Sequence, residues 1–146
     1  MDNGALIRDL QREVLATMLR PEDDERPDSG TVVVLAGVDG QRVWAEVAAP
    51  GPDEIRMEHL EREVCALIAL HAPLALAVAT AVRGVPVPHE SIVAWAAERD
   101  GETLAMRMHT SLTPDGLLVP GPIGMLVSSE ALLAAAWVVA LQAAAG

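Results

Sequence analysis

Residues 91–110 read SIVAWAAERDGETLAMRMHT, two largely apolar runs on either side of Asp100-Gly101. Residues 31–48, TVVVLAGVDGQRVWAEVA, follow the same plan around Asp39-Gly40. An Asp-Gly pair between alternating apolar residues predicts a two-residue type I′ hairpin, in which both central residues take positive φ. Such a turn sets the cross-strand register. For the second hairpin it predicts Val93, Trp95 and Ala97 opposite Met108, Met106 and Leu104 on a dry face. Ile92, Ala94 and Glu98 then oppose His109, Arg107 and Thr103 on a wet one. For the first it predicts Val32, Val34 and Ala36 opposite Val47, Ala45 and Val43. Thr31, Val33, Leu35, Arg42, Trp44 and Glu46 are left on a half-polar face.

Working outward, Ala5–Arg20 carries Ile7, Leu10, Val14 and Met18 at helical spacing and ends at Pro21. Residues 21–30, PEDDERPDSG, read as a solvated acidic loop, without the alternating oxygen ligands of a calcium loop. Asp53 is placed to cap a helix to about Ala72, with Met57, Leu60, Val64, Ile68 and His71 along one side and its second half buried all round. Leu74–Val82 alternates Leu, Val and Thr with Ala, which suits a strand, yet its Ala content and 4-residue spacing suit a helix. Residues 111–124 read as a Pro/Gly loop, with a short strand at Met125–Val127. Glu130–Ala145 reads as a final helix capped by Ser128 or Ser129. It has a Leu133, Trp137, Ala140 and Leu141 face, with Leu132, Val138 and Val139 elsewhere. A helix apolar all round is either central or packed on a second copy.

The expected architecture is therefore one α+β domain over residues 1–146, in the order α-ββ-α-(β or α)-ββ-α. Its antiparallel sheet is built from the two Asp-Gly hairpins, with helices mainly on one face. The chain has 146 residues, ample for one core. The net charge of −11 disfavours nucleic-acid backbones and anionic membrane surfaces as partners, and three Trp without Phe or Tyr leave few platforms for stacking bases. The N-terminus shows no signal-peptide pattern and no run reads as a membrane span, so a cytoplasmic location is expected. Cys65, the single cysteine, reads as a buried thiol.

Chemistry-bearing motifs are missing from the sequence: no Walker loop, G-x-G-x-x-G, H-E-x-x-H, C-x-x-C or G-x-S-x-G occurs. The best polar constellation is His89, Glu90 and His109, which the predicted register brings to one end of the second hairpin, as in a two-His-one-carboxylate site. Three solvated side chains would look the same, and no catalytic residue, metal or cofactor is assigned. His59 among glutamates reads as a salt-linked surface residue, and His71 as a core residue. Met106, Met108 and Met125 would suit either core or an adaptable groove.

The succession of a leading amphipathic helix, a hairpin, a helix, a second hairpin ending in Thr103–Thr110 and an apolar last helix Glu130–Ala145 resembles the small acidic type III secretion chaperones and the related YbjN-like fold. It departs from them in showing two rather than three strands before the middle helix. Roadblock-type dimerisation domains are similar to the same degree if Leu74–Val82 is a strand. Both resemblances imply a homodimer that binds protein segments, without catalysis. The expected function is a non-catalytic protein-binding module, chaperone-like or scaffold-like. The alternative is a small-molecule-binding protein or enzyme using His89, Glu90 and His109. The expected partner or dimer surface comprises Val33, Leu35 and Trp44 of the first hairpin with Leu133, Trp137 and Leu141 of the last helix.

Overall fold

The computed structural model describes residues 5–18, 31–47, 53–83, 90–112, 118–124 and 128–145. Three helices, α1 (Ala5–Met18), α2 (Asp53–His71) and α3 (Ser128–Ala145), are interleaved with six strands. The strands are β1 (Thr31–Ala36), β2 (Arg42–Glu46), β3 (Ala75–Arg83), β4 (Glu90–Glu98), β5 (Thr103–Leu112) and β6 (Leu118–Gly124). All pair antiparallel in one sheet of order β2-β1-β3-β4-β5-β6. The α+β class holds, and the element order is α-ββ-α-ββββ-α. Residues 75–83 are strand, so period two wins over alanine's helical propensity. β1 and β4 flank this strand, and a strand buried on both faces gains more from ladder and packing than propensity costs.

Both hairpins turn differently from expectation. Gly40 N–H donates to Gly37 O and Gly37 N–H to Gln41 O, both at 3.0 Å. Gly101 N–H donates to Glu98 O and Glu98 N–H to Glu102 O, both at 2.9 Å. Each loop therefore has three residues, Val38–Gly40 and Arg99–Gly101. Only the glycines take positive φ, +85° at Gly40 and +106° at Gly101. This is a type I turn closed by a left-handed Gly and a bulge. The aspartate side chains add a bond to each turn. Asp39 Oδ1 accepts from Gln41 N–H at 3.0 Å and Asp100 Oδ1 from Glu102 N–H at 2.9 Å, bracing the Gly that lies between.

The extra loop residue moves both registers by one. Ile92 opposes Met108, Ala94 opposes Met106 and Trp95 opposes Ala105. Val32 opposes Glu46, Val34 opposes Trp44 and Leu35 opposes Val43. The expected dry face of the second hairpin is thus split. Val93, Trp95 and Ala97 belong to one core, while Leu104 and Met106 pack with Ala94 and Ala96 on the other side. No wet face exists on β4, which is buried from Ile92 to Ala97.

Helices cover both faces of the sheet. On one lie α2 and α3, over Val33, Leu35, Leu76, Val78, Val93 and Trp95. On the other lies α1, whose Ile7, Leu10 and Val14 rest on Ala36, Ala75, Ala77, Ala79, Ala94 and Ala96, with Val32, Val34 and Ile92. An alanine floor lets the helix sit close to the sheet, near enough for Gln11 Nε2 to donate to the Ala94 carbonyl at 3.1 Å. The opposite core is built from large side chains around Trp95 and Trp137, whose rings meet edge-to-face at 5.7 Å and 86°. Thr31 and Thr80 are the buried polar pair in that layer, their hydroxyls 2.7 Å apart across neighbouring strands.

One corner ties the layers together. Ala72, at φ 45°, ends α2 in the left-handed conformation, and its N–H donates to Ile68 O at 2.8 Å. Arg99 Nη2 then donates to the carbonyls of Ala72 and Pro73, at 3.2 and 3.0 Å, while Gln142 Nε2 of α3 donates to Arg99 O at 3.1 Å. The second turn thereby joins α2 to α3. The segment expected as a loop, 111–124, holds the end of β5 and the whole of β6. Prolines 120 and 122 are compatible with a strand here because β6 is terminal in the sheet. The acidic loop 21–30 and the short strand expected at 125–127 lie outside the described residues.

Two stability outcomes follow. A Cβ at Gly101 would meet nothing within 4 Å, so Gly101→Ala costs only its backbone strain, about 1 kcal/mol or somewhat more in urea denaturation. Trp137 is fully buried and its indole N–H has no acceptor among the described residues. Trp137→Ala is expected to cost about 3–5 kcal/mol, and Trp137→Phe much less because it removes an unsatisfied donor along with volume.

Candidate interaction surfaces

His89 lies outside the described residues, as do the side chains of Glu90 and His109. The backbone register pairs Ser91 with His109 and Arg83 with Glu90, so His109 is not opposite Ile92 as expected. Among the described residues no group of three His, Cys, Asp or Glu side chains is gathered as for a metal ion. His59 Nε2 lies 4.0 Å from Glu63 Oε1 on the surface of α2, as expected of a salt-linked histidine. His71 is exposed rather than core, because the helix ends there and turns its last residue outward. Cys65 is half-buried. Its burial, and then the nearby Glu61 carboxylate, push the thiol's pKa up, which keeps it a poor nucleophile at neutral pH.

At the tip of the second hairpin Glu98, Asp100 and Glu102 stand close together. Burial, then Asp100 through its charge and a hydrogen bond, then Glu102, raise the Glu98 carboxyl above its ordinary range. On α1, an open groove of about 460 Å³ is lined by Arg8, Gln11, Arg12, Leu15 and Ala16. Arg12 faces Asp9 at 3.8 Å and Gln11 is committed to Ala94, so its polar rim is largely self-occupied.

The apolar surface is more informative. Of the six residues expected to form a partner surface, Val33, Leu35, Trp137 and Leu141 are fully buried in the protomer and Leu133 nearly so. The register shift explains the hairpin pair: Val33 and Leu35 point at α2 and α3, not outward. Trp44 alone stays accessible, 44% exposed on the opposite face of β2. Real exposure falls elsewhere. Leu132 and Val139 of α3 are 67% and 66% exposed, two turns apart on the face turned away from the sheet. Ala135 and Ala143 are exposed along the same helix. On α2, Leu70 is 75% exposed, with Ala66 and Ala69, so the second half of that helix is not buried all round. The sequence signal for this layer was present in α3, where no charged side chain occurs after Glu130 to mark an outer face.

A second exposed area is β2 itself. It is the terminal strand, and Val38, Val43 and Trp44 are exposed along it and its turn. Arg42 Nε lies 3.3 Å from Glu13 Oε2 of α1, which holds the guanidinium on the α1 side of the sheet. Among the described residues no helix is long and apolar enough to cross a membrane.

Three kinds of comparison bear on family membership: no family model matches the chain, and no curated protein and no solved structure matches it either.

The Glu98 shift has a defined pH signature. A carboxyl whose pKa is raised by folding stabilises the fold while protonated and loses that contribution as pH rises through its folded value. Glu98→Gln should therefore raise the urea midpoint at neutral pH, and the advantage over the parent should shrink on acidification through the carboxylate range.

Proposed function

We propose that this protein is a non-catalytic protein-binding module, homodimeric and chaperone-like or scaffold-like. The observation that carries the reading is the outer face of α3. Its inner side, Leu133, Trp137 and Leu141, is core, while Leu132, Ala135, Val139 and Ala143 face away without a charged neighbour on that helix after Glu130. Scattered apolar residues on a surface are ordinary, but a helix with no polar face is not. Together with Leu70, Ala66 and Ala69 of α2, the outer layer offers an apolar helical surface suited to an amphipathic segment of another protein. The net charge of −11 discourages nonspecific association elsewhere on the molecule. The resemblance in element order to type III secretion chaperones and roadblock-type domains supports the same reading, as does the lack of a recognisable catalytic motif. The alternative, a small-molecule site at His89, Glu90 and His109, rests on residue types alone.

The test compares the parent with a Leu132→Glu/Val139→Glu variant. Both positions are exposed, so the variant's thermal midpoint should match the parent's, surface changes typically costing within about 0.5 kcal/mol. The immobilised parent should retain a protein from native lysate that the variant fails to retain. Equal retention by both, or none by either, would remove α3 as the binding surface.

A further inference from the structure

We infer that the outer edge of β2 is a self-pairing surface: two copies join antiparallel about Trp44, merging two six-stranded sheets into one. This deepens the homodimeric part of the proposed function and rests on it.

The ladder decides which backbone groups of β2 face outward. Gly37 N–H bonds to Gln41 O and Val47 N–H to Thr31 O, which makes Gly37/Gln41 and Thr31/Val47 the hydrogen-bonded pairs of the first hairpin. Bonded and non-bonded pairs alternate in an antiparallel ladder, so Val43 and Ala45 also turn their backbone groups toward β1. Arg42, Trp44 and Glu46 turn theirs the other way, to the outer edge, where no further strand pairs with β2 among the described residues. Three residues thus present donors and acceptors that no described strand takes up, a configuration that invites another strand.

Their side chains select which strand. A two-fold axis through the Trp44 pair sets Arg42 against Glu46 of the partner subunit, and Glu46 against the partner's Arg42. Each of these becomes a bonded pair with opposite charges on the same face. Trp44 meets its own copy on the axis, and its exposed ring is covered by the other. Parallel in-register pairing would instead stack Arg on Arg and Glu on Glu. A shift of two residues would set Trp44 against a charge. Only the symmetric antiparallel register satisfies the sequence Arg-Val-Trp-Ala-Glu, and a self-complementary strand is what an isologous interface requires. The guanidinium is already held on the α1 side by Glu13, the side on which the partner's Glu46 arrives. The other sheet edge shows the contrast, because Pro120 and Pro122 of β6 cannot donate to an added strand.

The axis stands perpendicular to the sheet, so like faces of the two copies lie on the same side. Both α3 surfaces then face one way, giving the dimer two equivalent apolar helical layers. A five-residue edge is short of the ~1,200 Å² total that a standard stable interface buries, so the dissociation constant should fall near the micromolar range.

Sedimentation velocity of the full chain over a roughly micromolar to millimolar series tests this. The parent should pass from monomer to dimer. Arg42→Glu and Glu46→Arg should each weaken dimerisation about tenfold or more, since each replaces two attractions with two repulsions. The double variant Arg42→Glu/Glu46→Arg should return to near the parent value. Glu46→Arg is the decisive single change. It lowers the net negative charge of each copy, so generic repulsion would make it associate better, whereas edge pairing makes it associate worse. Trp44→Pro, which removes an outward N–H without touching the β1 ladder, should abolish the dimer while the circular dichroism of the folded monomer persists. A dimer unaffected by these changes would overturn the β2 interface and leave the homodimeric reading intact. A chain monomeric at every concentration would overturn both the edge pairing and the homodimer, while the α3 binding test stands apart.

Discussion

Everything in this fold hangs on the three-residue turns at Val38–Gly40 and Arg99–Gly101. A strand has only two faces, so one added loop residue exchanges them for every residue beyond it. With the bulge in place, Val33, Leu35, Val93 and Trp95 point to one side and Val32, Val34, Ala94 and Ala96 to the other. The aspartates that suggest a tighter turn serve instead to hold the N–H after each glycine, at nearly the same length in both hairpins. The two turns are near copies of one another in geometry, and they impose the same parity on both halves of the sheet.

Parity in turn dictates how the two helical layers differ. The α1 side of β3 and β4 is alanine at Ala75, Ala77, Ala79, Ala94 and Ala96, while the α2 and α3 side is Leu76, Val78, Val93 and Trp95. A flat floor of methyl groups accepts one close helix. A rough floor of large side chains needs two helices and a tryptophan from α3 to fill it. The near-absence of aromatic residues from the sequence is thus not a thin core but an uneven one, with its large side chains gathered on one side of the sheet.

Much of this was legible before the structure. The three helices, both hairpins and the α+β class follow from periodicity and turn residues, and α1's stripe of Ile7, Leu10 and Val14 is the one that is buried. What failed did so for local reasons. An Asp-Gly pair is compatible with both a two-residue loop and the last two positions of a three-residue one, and only the Asp φ separates them. β3 and β4 are covered on both faces, so polar-apolar alternation, the usual witness of register, is missing. β6 was hidden because prolines read as a loop unless the strand is terminal. For the exposed apolar residues, the character of α3 was visible in the sequence, but which of its faces packs inward depends on tertiary contacts, and which strand residues meet it depends on the sheet's parity. Val33 and Leu35 therefore looked like surface while Leu132 and Val139 did not.

An antiparallel sheet must dispose of two edges, and this one treats them differently. β6 carries two prolines, which remove donors and make that edge a poorer template for an added strand. β2 carries one cation and one anion placed symmetrically about a tryptophan, a pattern complementary to a strand that presents the reverse order. Charge on an edge strand is usually read as a guard against aggregation, and under the proposed pairing it would also choose the register. The open end of the molecule is therefore not unprotected. Under the proposed pairing it is selective, and the chain it would select is its own.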